Sequence, residues 1–371
     1  MITTRGFLAS IVLPAASIAV ALCVLWLGGC TYPASRANIQ TSNDHNLEDP
    51  KIEYLGVGGW LIHWKGEGVL MAPSFSNPGL LGIKGVPPLR VASDPRKITT
   101  HMPEAKQVKM LLVGHAHYDH LLDVAYVVNN FAPRATVYGS ETVGYLLHPA
   151  VPPITVIVPS QAQVTRHNNP AYHGTWFYSS GEQVTDGADL GSADKSPPKG
   201  KVRAMPLESM HAPHLLGINL IPGAYDQNLD KTPGSIFAWK NGKMVLAWVI
   251  DLLDEQGKPV YRIHYQDSAA DPPWGFPPVI ADSKNVDVEI LCGASWDEVS
   301  DYPAALLRVT RPRLVLVGHW ENFFANDLSK PPRTIPLQEY AGLLTQLHGY
   351  PHVFPEPLSE VRLPQSCIAC K

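Results

Sequence analysis

The sequence predicts an α/β or α+β fold built on large sheets. Short apolar runs of strand length recur from residue 52 to residue 317, punctuated by Gly and Pro. A few segments with helical spacing lie between them, and no internal repeat interrupts the pattern. The 371 residues allow one large domain or two ordinary ones, and a 45% hydrophobic content allows a sizeable core. The net charge of −4, from 29 basic and 33 acidic residues, argues against a nucleic-acid partner, which would call for a basic excess. Charged residues are 17%, below the usual ~25%. The 35 prolines predict long irregular loops.

Taken in order, 52–57 (IEYLGV), 59–64 (GWLIHW) and 68–71 (GVLM) read as consecutive strands joined by tight turns. Residues 74–107, rich in Pro, Gly and Ser, read as a loop. A buried strand at 108–114 leads to a helix over 121–131, where Leu122, Val124, Ala125 and Val128 recur at helical spacing. Strands are expected at 135–139 and 154–158, with a short helix from Glu141 between them. The polar, Gly-rich stretch 159–200 has no period and reads as a loop insertion. Strands resume at 201–207, 235–240, 244–252 and 260–266, with Asn241-Gly242 as a hairpin turn. Further buried strands are expected at 286–292 and 313–317, with helices over 302–309 and 335–347. Residues 51–352 are thus expected to form the folded domain, with 353–371 as a C-terminal tail.

The N-terminus reads as an address. Arg5 precedes 24 mostly apolar residues from Gly6 to Gly29, which has the form of an export signal and is also long enough to span a bilayer. Leu27-Gly28-Gly29-Cys30 resembles the bacterial lipobox. It implies a signal peptide over 1–29, lipidation at Cys30 and a membrane-anchored protein of the bacterial cell envelope. Thr31 after that cysteine, rather than Asp, implies the outer membrane, facing the periplasm. Residues 30–50 then read as a polar tether. Cys292 lies in an apolar strand and is expected to be inert core, whereas Cys367 and Cys370 form a CxxC near the end, for which an oxidising compartment favours a local disulfide.

The segment LLVGHAHYDHLLD carries the chemistry. His115 and His117 are two apart and point to one side of an extended backbone, and Asp119 and His120 follow where the chain turns into a helix. Imidazole and carboxylate are ligand types that zinc and iron accept. The positive end of the following helix is expected to help keep His120 neutral and able to ligate.

This HxHxDH run resembles the metallo-β-lactamase superfamily, which also carries a later His, an Asp and a final His at strand ends. His211 in ESMHAPH, Asp267 in RIHYQDSA and His319 in RLVLVGHWENF stand in the same order, so the resemblance covers roughly residues 52–345. The opening GVGGWLIHWKGEGVLMAPSFSNPG with HYDHLLD looks closest to the branch containing N-acyl-phosphatidylethanolamine phospholipase D and the ascorbate-phosphate lactonase. The resemblance implies a four-layer αββα sandwich holding two divalent metal ions, zinc first, with manganese or iron as alternatives. His115, His117 and His211 would hold one ion, and Asp119, His120 and His319 the other. Asp267 would bridge. The implied activity is hydrolysis of an ester or phosphodiester bond by a metal-bridging hydroxide, with Asp119 orienting it and His214 donating to the developing oxyanion. Two positions depart from the superfamily pattern. Ala72 stands where Asp precedes Pro, and Gln266 stands where Gly precedes the bridging Asp.

The substrate is expected to be a small molecule or a lipid-like compound. Trp274 and Phe276 on a proline-rich loop, with Trp320, Phe323 and Phe324 after His319, are candidate apolar contacts, against the alternative that they pack on the core. His264, two before Asp267, is a weaker site candidate. A lactonase acting on cyclic esters, a non-catalytic metal-binding lipoprotein and a di-iron oxidoreductase are the competing readings. The oligomeric state is not encoded in any of these features.

Overall fold

In a computed structural model the chain is described at residues 31–167, 174–187, 199–214, 216–336 and 338–365. The export segment, Cys30, Cys367 and Cys370 lie outside these residues. Among the described residues no helix is long and apolar enough to cross a membrane.

Two sheets face each other. The seven-stranded sheet runs β16 (Glu360–Arg362), β2 (Lys51–Gly56), β3 (Gly59–Trp64), β4 (Glu67–Met71), β5 (Val108–Leu112), β6 (Thr136–Tyr138), β7 (Val156–Ile157). The nine-stranded sheet runs β1 (Thr41–Ser42), β15 (His352–Pro355), β14 (Leu314–Gly318), β13 (Val288–Cys292), β12 (Pro259–Tyr265), β11 (Val245–Leu253), β10 (Val202–Ser209), β8 (Thr175–Tyr178), β9 (Gln183–Thr185). Antiparallel pairing joins β2 to β3 and β3 to β4; β4 to β5, β5 to β6 and β6 to β7 are parallel. In the second sheet β10, β11 and β12 are antiparallel, and β12 through β15 are parallel.

Strand periodicity sorts the apolar side chains into layers. On β5, Met110 and Leu112 enter the core between the sheets, where they join Trp60, Trp248, Ile250, Ile263, Ile290 and Leu316. Leu111 points the other way, and so does Val108, set out of the alternation by a register shift between β4 and β5, onto helices α1 (Pro95–His101), α2 (Tyr118–Leu121), α3 (Val124–Asn130) and α4 (Glu141–Leu147). Likewise Val315 and Val317 of β14 pack outward against α5 (Ala304–Thr310) and α6 (Ala341–Leu347). The layer order is therefore helix, sheet, sheet, helix, as the resemblance implies.

Several local expectations are corrected. Residues 31–50 are seated on the domain rather than free as a tether: Ala34–Ala37 form a 3-10 turn, Ile39 is buried, and β1 pairs in parallel with β15. Residues 353–365 likewise belong to the fold, because β15 and β16 each add a strand to a sheet. The 159–200 stretch contributes β8 and β9; buried Trp176, Phe177 and Tyr178 explain why its polar average concealed a strand. The run at 235–240 is a 3-10 turn at Ile236–Ala238, not a strand. Its backbone is tied to Leu89, and the Trp239 indole donates to the Pro233 carbonyl at 3.1 Å. Asn241-Gly242 therefore joins no hairpin; the Asn241 carbonyl accepts from Ala116 N–H. The helix expected over 121–131 breaks between α2 and α3 at Leu122-Asp123, where the Asp123 carboxylate turns away to hold the 74–77 loop. The helix expected over 335–347 begins only at Ala341, because Ile335 N–H bonds back to the Trp320 carbonyl.

Candidate metal centre

Four strands of the two sheets end at one place. β5 leads into the His115-Ala-His117 turn, which opens α2 with Asp119 and His120. His211 follows β10, Asp267 follows β12, and His319 follows β14. All seven expected ligands come together. His115, His117 and His211 form one group, Asp119, His120 and His319 a second, and His115, His120 and Asp267 a third that overlaps both. Within each group the potential ligand atoms lie within 4.8 Å of one another. Ring centroids are 4.8 Å apart for His115 and His117, 4.5 Å for His117 and His211, and 5.3 Å for His120 and His319.

Neighbouring hydrogen bonds set which nitrogen each ring offers. His115 Nδ1 donates to Asp267 Oδ2 at 2.8 Å, and the His115 backbone N–H donates to the same oxygen at 3.0 Å. His115 Nε2 is left buried without a partner among the described residues, as is His319 Nδ1. His211 Nδ1 faces the Ala212 carbonyl at 2.5 Å, and His117 Nε2 faces the Ile221 carbonyl at 3.2 Å. Each of these rings keeps a second nitrogen for a cation. The Asp267 carboxylate lies between the groups, with Oδ1 3.0 Å from His120 Nδ1 and Tyr265 O–H donating to it. Asp119 Oδ2 is 3.3 Å from His319 Nε2 and 3.6 Å from His120 Nε2.

Buried nitrogens with no partner, in a set made only of imidazoles and carboxylates, fit a pair of divalent cations. Burial, and then the neighbouring rings, hold His117 and His211 well below the usual imidazole range, so both stay neutral and able to ligate. Burial would raise the Asp119 and Asp267 carboxyls, but the adjacent imidazoles win and hold both ionised. His120 departs from expectation. Burial would lower it, yet Asp267 and Asp119 together push it up to about 9. The four-residue α2 is too short for its end to outweigh two carboxylates. A bound cation would displace that proton.

Two glycines let the strands close on the site. A Cβ at Gly58 would stand 2.5 Å from His120 Nδ1, and one at Gly114 would stand 2.4 Å from Asp267 Cβ. Four further residues set the frame and carried no spacing signal in the sequence. Tyr54 donates to Glu321 Oε2 at 2.6 Å and accepts the His319 backbone N–H at 2.8 Å. Tyr265 holds Asp267. Asp123, fully buried, accepts from Phe75 N–H, Ser76 N–H and the Ser76 and Ser93 hydroxyls. The one available signal was an acidic residue inside an apolar stretch, as Asp123 is in LLDVAYVV and Glu321 is in HWENFF.

A cavity of about 520 Å³ opens over the centre. His214 forms part of its wall, stacked on His211 with centroids 4.9 Å apart, and its Nδ1 accepts from Leu220 N–H. Burial pushes His214 down to about 4, so it is a neutral ring beside the ligands. Of the aromatic contacts expected from sequence, Phe323 and Phe324 line this cavity, whereas Trp274, Phe276 and Trp320 do not. Trp320 is a correction: it is wholly buried in the outer core and donates to the Pro355 carbonyl, because the left-handed His319 (φ 53°) turns the next side chain inward. Trp274 meets His167 edge to face, and Phe276 packs against the same outer core. His264 also lies away from the cavity, buried between Glu289 and the Gly275 carbonyl. Cys292 is buried as expected but also lines the cavity, its thiol pushed up to about 12 by burial. Gln266 packs under Gly275 and donates to Ser209, leaving Asp267 in place. Ala72, directly after β4, is in a left-handed conformation (φ 33°).

No family model and no curated protein matches the chain. Among solved structures it is similar to Igni18, a metallo hydrolase from the archaeon Ignicoccus hospitalis, with 12% identity over 84% of this chain and 97% of that one, TM-score 0.45. It is also similar to the metallo-β-lactamase fold protein YhfI from Bacillus subtilis, with 12% identity over 84% and 99% of the two chains, TM-score 0.42. A third is CmlA, a diiron β-hydroxylase from Streptomyces venezuelae, with 14% identity over 86% of this chain, TM-score 0.44; this chain spans 55% of that protein. These are distant likenesses of chain path, and the layer order and the site stand on this chain's own residues.

Proposed function

We propose that the protein is a metal-dependent hydrolase of an ester or phosphodiester bond, cyclic esters included. The observation that carries this reading is the set of three overlapping ligand groups drawn from the ends of four strands. His115, His117 and His211 would hold one divalent cation and Asp119, His120 and His319 the other, with Asp267 between them. Such a pair, when bound, polarises a substrate oxygen and lowers the pKa of water. The chain's own groups do the rest. Asp119, held ionised, accepts a hydrogen bond at its carboxylate and so orients the attacking oxygen. His214, neutral and in the cavity wall, can hydrogen-bond an oxygen that gains charge. The apolar wall excludes bulk water.

Zinc suits the imidazole-rich donor set, and iron or manganese are the alternatives. The lipobox supports a lipid anchor at Cys30 and an envelope location beside membrane substrates. The test is metal analysis of the chain from residue 31, with turnover of p-nitrophenyl acetate and bis(p-nitrophenyl) phosphate. Close to two metals per chain and turnover abolished by His117→Ala are expected. Turnover that survives complete metal removal would overturn the reading.

A further inference from the structure

The wall of the cavity over the metal centre has a consistent chemistry. Leu220, Ile221, Ile236, Phe237 and Phe323 line it, with Leu89 at the rim. Among the described residues no lysine or arginine lines it, and its anionic side chains are the Asp119 and Asp267 carboxylates, set among the histidines of the centre. The polar groups that remain are neutral. One is the Tyr118 hydroxyl, which is buried and has no hydrogen-bond partner among the described residues.

The rim is unusually apolar for a surface. Leu89, Leu220 and Phe237 are each more than half exposed (52%, 54% and 59%) although they border a cavity. Sites that hold a phosphoryl group commonly add cationic side chains to the metal ions, because the equatorial oxygens carry spread charge. A hydrocarbon chain needs the opposite: a dry, uncharged wall of small-ligand size, roughly 300–1,000 Å³.

We infer that this cavity takes the aliphatic arm of an uncharged carboxylic ester, with the ester group at the metal centre and the chain running out past Phe237 and Leu220. This rests on the hydrolase reading and narrows it, favouring the ester over the phosphodiester. Hydrolysis adds water across the acyl C–O bond, so the acyl carbon gains the hydroxyl and the alcohol leaves with the proton.

The experiment uses the metal-loaded chain from residue 31 and two readouts. The first is turnover of p-nitrophenyl esters from acetate to decanoate, with bis(p-nitrophenyl) phosphate alongside. The second is calorimetric binding of 2-dodecanone, which keeps the carbonyl and the chain but has no scissile bond. KM should fall with chain length, by up to about fourfold per methylene while the chain is entering the cavity. Phe237→Ser and Leu220→Ser, both at exposed rim positions, should flatten that dependence and weaken ketone binding at least tenfold. Metal-dependent turnover with KM independent of chain length, or with the phosphodiester preferred, would overturn this inference and leave the hydrolase reading standing. Absence of turnover on every probe would overturn both.

Discussion

The Tyr54 hydroxyl accepts the backbone N–H of His319 at 2.8 Å across the gap between the two sheets. Its own proton goes to Glu321, whose other oxygen accepts Val57 N–H at 2.7 Å. A residue of one sheet thereby pins the final histidine of the other, in a left-handed conformation that costs a non-glycine residue on the order of 1–3 kcal/mol. Tyr54→Phe removes the acceptor and leaves a buried N–H and a carboxylate under-bonded. Stability should fall by about 1–3 kcal/mol. Affinity at the Asp119, His120 and His319 group should fall about 10–100-fold, as when the hydrogen-bond partner of a metal ligand is lost. Thermal unfolding and metal titration check the two effects separately.

His211→Ala and His319→Ala each remove a member of a different ligand group. Each variant should retain close to one metal per chain by elemental analysis, and the double variant close to none. Chelation of the parent protein should lower its melting temperature, since a ligand that binds only the folded state stabilises it by about 4 kcal/mol at a thousandfold excess over Kd. A parent whose melting point ignores chelator would contradict the assignment.

Gly58→Ala places a methyl group 2.5 Å from His120 Nδ1 and 3.2 Å from Asp267 Oδ1. The ring must move, at a cost of about 1–3 kcal/mol, and metal should be lost with it. Gly234→Ala, where a Cβ meets nothing within 4 Å, is the matched control and should keep both stability and metal.

Glu53 on β2 lies opposite Glu360 on β16. Burial and then Glu360 push its carboxyl up to about 7, against the pull of Lys51. The folded state thus holds its proton more tightly than the unfolded state, for which about 4.5 applies. Stability is lost as pH rises through this window, and the cost is fully present above about 7. Glu53→Gln should raise the melting temperature by a few degrees at pH 8, corresponding to about 1–2 kcal/mol after solvent screening, and by little at pH 4.5. Equal shifts at both pH values would count against the burial argument.

Four of the seven ligands were legible from local spacing, and His211, Asp267 and His319 only through the resemblance that supplied their order; all stand where a strand ends and a sheet presents side chains to a crevice. HxHxDH is local, so spacing alone brought four of them together. Tyr54 and Glu321 are 267 positions apart, and nothing in either neighbourhood records the other. Trp320 misled for a related reason: proximity in sequence to His319 says nothing of direction once the backbone adopts positive φ. The strands at 175–178 and 360–362 were missed because short runs inside polar, proline-rich stretches lose their signal in any window average. The segment at 235–240 looked like a strand from composition, but its backbone partners lie in the 89–91 loop rather than in a sheet.

The first described residues are stitched to the stretch that borders the cavity. Arg333 donates to the Thr31 hydroxyl and carbonyl, Thr334 N–H donates to the Tyr32 carbonyl while Tyr32 N–H donates to the Thr334 hydroxyl, and the Tyr32 hydroxyl donates to the Gln338 carbonyl. Ile335 in that stretch is part of the cavity wall. Tension applied upstream of Thr31 would therefore reach the mouth of the site through the few residues from Arg333 to Ile335. An attachment there would also fix which way the opening faces.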